Sequence, residues 1–324
     1  MIYIHIILNI WSFDGKKCLY PNLLKLIFVN YDMLEEIDGS NLLSHIINPL
    51  SGYFICNHFI GDELFSGFDG YTDKIALPSG VNDLLQNKNM ESIKHYDIVL
   101  CQVDFFDYFI SNVLPLLKKK IILITSQWAY PAIERNDKTD MVLAHPNIML
   151  WISQNPIYAN HPKYMAFPYG INMASLSSYF DFLWNTGSIN KTKPVHSLPL
   201  TVKDWYPAEH IRKKYPIFGK ESGERLSYVS YLKELVKCKY IISPEGDRPD
   251  CYRNYEAIGL ECIPVSNIEE GMFKELFGNN MVYSDAEEMV RMCHTERDYV
   301  LPNSRIILLD YWRQKIIDKM KKII

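Results

Sequence analysis

Residues 237–267, KCKYIISPEGDRPDCYRNYEAIGLECIPVSN, constrain the fold more than any other stretch of this chain. Tyr240-Ile241-Ile242 is a short apolar run rich in β-branched residues and reads as a buried strand. Ser243-Pro244-Glu245-Gly246 interrupts it, because proline lacks a donor and glycine tolerates turns. Asp250 is placed to cap a helix whose inward face carries Tyr252, Tyr255 and Ile258. Gly259 suits the end of that helix. Cys262-Ile263-Pro264-Val265 then resumes a strand. Strand, loop, helix and strand in this order belong to α/β architecture, where ligands bind at the loops leaving the strand ends.

The polar residues of the loop and helix give this stretch a chemistry. Arg253 and Glu256 lie three apart, near the helix N-terminus and on neighbouring lines of its surface. A helix N-terminus attracts anions through its free N–H groups and its dipole, and an arginine adds a planar fork for phosphate oxygens. A carboxylate one turn later can accept hydrogen bonds from a ribose diol. Together they would suit a nucleoside diphosphate carrying a sugar. An intrahelical Arg–Glu pair on a solvated face satisfies the same spacing.

The longer pattern S-P-x-G-x-x-x-D-x-x-R-x-x-E-A, followed by C-I-P-V, resembles the donor-site signature of exostosin-like glycosyltransferases. It is carried here by Ser243, Pro244, Gly246, Asp250, Arg253, Glu256, Ala257 and Cys262 to Val265. The resemblance implies two Rossmann-like α/β domains facing across a cleft, the GT-B fold, with the nucleotide-sugar held by the C-terminal one. It departs from the family at Arg248, where a second glycine is frequent, and at Glu261, where a glycine usually precedes the cysteine. H-P-K-Y at 161–164 and P-Y-G-I-N at 168–172 also resemble this group near its interdomain crossing, although a simple turn explains them equally well.

With 324 residues, the chain exceeds the usual size of a single core, so two domains are expected. We place the N-terminal acceptor-side domain at 1–172 and the nucleotide-sugar domain at 173–303. A last helix at 304–324 can pack back on the first domain. The formal net charge of −4 gives no broad attraction to nucleic acid. Seven cysteines form no C-x-x-C pair and read as buried hydrophobes of a reducing compartment, so a soluble cytoplasmic protein without a membrane span is expected. Lys118-Lys119-Lys120 follows an apolar helical run and reads as a cationic helix end. Arg212, Lys213 and Lys214 are possible phosphate contacts, or a solvated helix face.

Along the chain, Ile2–Ile10, Tyr53–Cys56, Asp97–Cys101, Ile121–Thr125, Ile148–Ile152 and Tyr164–Phe167 read as strands, with helices over Leu23–Phe28 and Asp104–Leu117. Ser227 caps a helix with Tyr228, Tyr231, Leu232 and Leu235 on one face. Ser284 and Glu287 form a capping box, and Asn303-Ser304 opens a helix with Leu309, Trp312, Ile316 and Met320 inward. No G-x-G-x-x-G follows the first strand.

The resemblance implies transfer of a sugar from a nucleoside diphosphate donor, uridine-based, to a hydroxyl of a glycan acceptor, mostly with inversion. No D-x-D run stands out, so neither a metal nor any cofactor beyond the nucleotide-sugar is expected. The acceptor base should come from the first domain: Asp62, then His58 and Glu63, with Asp104 behind them. A protein that binds nucleotide-sugars without catalysis fits the same residues.

Overall fold

Strands rich in β-branched residues and buried on both faces pair in parallel, because the helices that connect them cover both faces. The chain does this twice. In the computed structural model, residues 42–62, 64–65, 74–126, 133–186, 189–196, 200–218, 226–292 and 298–324 are described. A short helix α1 (Leu42–His45) leads to β1 (His58–Ile60). Next come β2 (Leu64–Phe65), β3 (Lys74–Ile75), β4 (Asn82–Asp83), β5 (Ile98–Gln102) and β6 (Ile121–Ser126). Helix α2 (Asp137–Ala144) separates β6 from β7 (Ile148–Ser153), and β8 (Tyr164–Ala166) completes the first sheet. Its order is β4-β1-β5-β6-β7-β8, and every pairing is parallel. The β2–β3 pair is a separate antiparallel ribbon.

After helix α3 (Leu176–Asn185), strand β9 (Lys193–His196) begins the second sheet. Helices α4 (Ile211–Lys214) and α5 (Tyr228–Leu235) precede β10 (Cys238–Ile242). Helix α6 (Tyr252–Gly259) connects β10 to β11 (Ile263–Ser266), as the loop–helix pattern of this stretch requires. Then follow α7 (Glu270–Phe277), β12 (Val282–Tyr283), α8 (Ala286–Met292) and the long α9 (Leu309–Ile323). The second sheet, β12-β11-β10-β9, is also fully parallel. The chain is therefore α/β with two parallel, Rossmann-like sheets.

One apolar cluster joins them. It includes Leu100, Ile124 and Ile152 of the first sheet, Ile241 of the second, Cys262 just before β11, and Trp312, Ile316 and Met320 of α9. Trp312 is fully buried, with its Nε1 donating to Ile306 O at 2.8 Å and its ring edge-on to Phe167. Near it, Ile47 N donates to Ile307 O and Ile171 N to Ile47 O, both at 2.8 Å. Gly170 makes that approach possible. Its φ is +83°, and a Cβ there would meet the Ile47 backbone at 2.4 Å.

Several expected elements differ. Tyr53–Cys56 is no strand: Ser51–Phe54 is a 3-10 turn, with Tyr53 packed on Phe59 and its hydroxyl accepting from Gln102 Nε2. The expected Asp104–Leu117 helix breaks into short turns, with a π-helical turn at Phe109–Val113 and Pro115 inside the last one. A proline there cannot supply the amide that a regular helix needs. Asp285, not Ser284, caps α8, accepting from Glu288 N at 2.8 Å. The last helix is entered through a 3-10 turn, Ser304–Ile307, capped by Asn303. Ile2–Ile10 and Leu23–Phe28 lie outside the described residues.

Candidate functional site

The C-terminal ends of the two sheets are tied together by the residues that leave β8 and β10. Tyr169 N donates to Asp250 Oδ2 at 3.0 Å, and Tyr255 OH donates to the same oxygen at 2.6 Å. Above that tie, Tyr169 stacks on Tyr252 with ring centroids 4.9 Å apart, and the Arg248 guanidinium lies 4.2 Å over the Tyr169 ring. The loop from Ser243 to Cys251 thus sits where both sheets present strand ends, the place at which α/β sheets bind ligands.

The loop is held from within. Ser243 Oγ donates to Asn254 Oδ1 at 2.8 Å. Asn267 accepts from Glu245 N at 2.9 Å and donates to Glu245 Oε1 at 3.0 Å. Pro244 offers its carbonyl to Arg212 Nη2 at 3.2 Å, while Arg212 Nη1 donates to Thr201 O. Gly246 leaves room for this contact: a Cβ at 246 would come within 2.9 Å of Arg212 Nη2 and push the guanidinium aside. Outside the loop, Tyr206 OH donates to Asp247 Oδ1 and stacks on His210, whose Nε2 lies 3.3 Å from Gly246 O.

Two cations converge here. Arg253, in the first turn of α6, has its guanidinium 5.6 Å from the Tyr231 ring centroid, and its buried Nη1 has no hydrogen-bond partner among the described residues. Arg212 Nε is buried and unpartnered as well. Burial first, then the nearby Arg253 charge, push the Arg212 pKa below its ordinary value. Among the described residues neither arginine forms a salt bridge. Two like charges packed together away from water, without a contacting carboxylate, are unfavourable unless an anion joins them. The first turn of α6 adds to the same field. Its N-cap, Cys251, gives no side-chain cap, and no acid sits in that turn.

Several expected roles change. Asp250 does not cap α6: Cys251 holds the N-cap position, and the Asp250 carboxyl is buried between Tyr169 and Tyr255. Burial pushes its pKa up to about 7. Glu256 is not open to a ribose diol. It is buried, Oε1 accepts from Tyr228 OH and Oε2 from Tyr231 OH, each at 2.9 Å, and burial raises its pKa. The Arg253 charge acts against that rise, so the two groups share one electrostatic environment. The work of Glu256 is to bind α6 to α5 and to hold Tyr231 beneath Arg253.

On the first sheet, His58 is corrected too. It opens β1 rather than following it, at the strand ends opposite the loop. Its Nε2–H donates to Asp97 Oδ2 at 2.8 Å, and its Nδ1 lies 3.3 Å from Asn82 Nδ2, so a buried ring has both nitrogens engaged. Asp62 does lie past the C-terminal end of β1, exposed, with its amide donating to Gln102 Oε1 at 2.9 Å. Asp104 lies exposed past the end of the neighbouring β5. Glu63 lies outside the described residues.

Arg212 was one of three basic residues read from sequence as possible phosphate contacts or a solvated helix face, and only the fold separates it from Lys213 and Lys214. Its basic neighbours give the local pattern of a solvated helix face, yet Arg212 turns onto Pro244, 32 residues away. Among the described residues no group of three or more His, Cys, Asp or Glu is placed to hold a metal ion. No family model matches the chain, and no curated protein matches it either.

Proposed function

We propose that this chain is a glycosyltransferase that binds a nucleoside diphosphate sugar at the Ser243–Arg253 loop and transfers the sugar to a hydroxyl of a glycan or glycoconjugate. The observation that carries this reading is the Arg212–Arg253 pair beside the uncapped start of α6, a cationic cluster at the end of a parallel strand. The motif similar to exostosin-like enzymes, borne by Ser243, Pro244, Gly246 and Arg253, supplies the sugar-transfer chemistry. In this reading the two sheets are the halves of a GT-B enzyme, with their C-terminal strand ends facing one cleft.

The reaction needs an acceptor oxygen that loses its proton as it bonds to the anomeric carbon, while the bond from that carbon to the diphosphate breaks. The departing diphosphate gains negative charge, which Arg212, Arg253 and the α6 N-terminus stabilise. Asp62 and Asp104 are the exposed carboxylates on the facing strand ends that can take the proton. A second reading, nucleotide-sugar binding without transfer, is allowed by the departures from the exostosin-like pattern at Arg248 and Glu261.

Titration with nucleoside diphosphates, followed by assay of sugar release, tests both readings. UDP at about millimolar concentration should raise the Tm. Arg212→Ala and Arg253→Ala should each weaken binding by about 1.5–3 kcal/mol. Asp62→Ala or Asp104→Ala should lower turnover by about 10² or more while donor affinity is kept. No Tm shift with any nucleoside diphosphate sinks the donor site. Binding without sugar release in the presence of any acceptor assigns the second reading.

A further inference from the structure

At the opposite strand ends of the first sheet lies a groove that the reading above leaves unused. Its volume is about 640 Å³, and it runs between α9 and the residues that open β1, β5 and β6. Ile98, Ile122, Ile316 and Met320 line it. Three further lining residues, Tyr96, Ile317 and Ile324, are 45%, 48% and 74% exposed. Large apolar groups this open to water, gathered at one rim, mark a contact surface.

The charge around the groove contrasts with the rest of the chain. The protein as a whole is acidic, with 38 acidic against 34 basic side chains. Here Lys94 lies two residues before Tyr96, and Lys118, Lys119 and Lys120 lead into β6. Tyr96 N donates to Lys120 O at 2.6 Å, which fixes those two segments side by side. Lys321 lines the groove and Lys322 follows it. Among the described residues, the lysine run read from sequence as a helix end makes no side-chain bond to a helix carbonyl. Among the described residues, the ammonium groups of Lys94, Lys118, Lys119, Lys120 and Lys322 have no partner. Asp310 and Asp318 are taken up by Arg313 and Lys321, and Asp97 by His58.

We propose that this edge docks on an anionic membrane surface, with Tyr96, Ile317 and Ile324 entering the headgroup layer and the lysines meeting acidic lipid headgroups. A site for one small anion would show converging donors in fixed geometry. These lysines instead stand on separate segments, exposed and on flexible stems, around an apolar centre. That combination suits a bilayer, which offers diffuse negative charge and apolar depth without fixed hydrogen-bonding partners. No helix among the described residues is long and apolar enough to cross a membrane.

Vesicle flotation of the full chain tests the proposal. Vesicles of phosphatidylcholine alone should leave it unbound, and vesicles with about one third phosphatidylserine should carry it, less so as salt is raised. Replacing Lys118, Lys119 and Lys120 together by glutamine should lower partitioning by about 10²-fold. Ile317→Asp should abolish it, and both variants should keep the parent Tm because the altered side chains are exposed. Arg253→Ala should float as the parent does, since Arg253 lies at the other strand ends. Equal binding to neutral vesicles, or no binding to either kind, overturns the proposal. So does a lysine variant that floats normally, or loss of flotation in Arg253→Ala. Sedimentation of the free chain as a dimer that Ile317→Asp dissolves would give the groove to a second copy instead.

Discussion

Asp250 is the residue in which location most changes meaning. Its position before a helix reads as a cap, but the carboxyl accepts the Tyr169 amide and the Tyr255 hydroxyl in a buried setting that pushes its pKa from 3.8 to about 7. The folded pKa lies above the unfolded one, so its contribution to stability is fully present below about 3.8 and is lost as pH rises through about 7. The raised pKa of Glu256 acts in the same direction. We expect the Tm to decline between about pH 4 and about pH 7, and Asp250→Asn, which keeps both accepted hydrogen bonds, to flatten that decline. A parent profile already flat across this range would show that the carboxyl folds ionised. Arg253 was legible because its spacing from the loop is local. Arg212 could not be told from Lys213 and Lys214, since nothing within a few residues of it tells where Pro244 will be.

At the scale of elements, α6 is tied in from several sides, and Gly259 is the point of least tolerance. A Cβ there would lie 2.1 Å from Tyr179 Oη and 2.9 Å from Ile307 Cδ1. Tyr179 OH also donates to Glu256 O at 3.1 Å, so displacing it loosens the helix that bears Arg253. Gly259→Ala should cost about 1–3 kcal/mol by denaturant melt, as overpacked cores do, and should weaken nucleoside diphosphate binding along with stability. Unchanged stability would mean that Tyr179 has room to move. The glycine thus serves close packing rather than the helix end, because the left-handed residue is Glu261, with φ +57°. The exostosin-like pattern has glycine at that place, which this conformation explains. The central strands β5, β6, β7, β10 and β11 were readable as continuous apolar runs. Tyr53–Cys56 was not, because four apolar residues pack equally well as a buried turn and periodicity cannot separate the two. The parallel sheets were therefore plain in the sequence. The irregular turns were not, since they depend on contacts such as Tyr53 with Gln102.

For the molecule as a whole, the decisive feature is a core that does not stop at either sheet. Leu100 and Ile152 belong to the same apolar cluster as Ile241 and Cys262, with Trp312 between them in the sense that α9 packs into it. Unfolding should accordingly be one cooperative event, with calorimetric and van't Hoff enthalpies equal. Trp312→Ala should cost about 3–5 kcal/mol and move the entire transition. Two resolved transitions, with only one displaced, would mean that the sheets melt independently.

The ladder that joins Ile47 to both Ile171 and Ile307 bears on how the chain is made. Residues near 47 leave the ribosome long before their partner at 307. Until then the nascent chain carries an open apolar edge beside its first sheet, longer than the local pairing of β5, β6 and β7 would require. Such exposure during synthesis is what chaperones recognise. A ribosome-bound chain halted before residue 304 should therefore remain chaperone-held, and release should follow the arrival of α9.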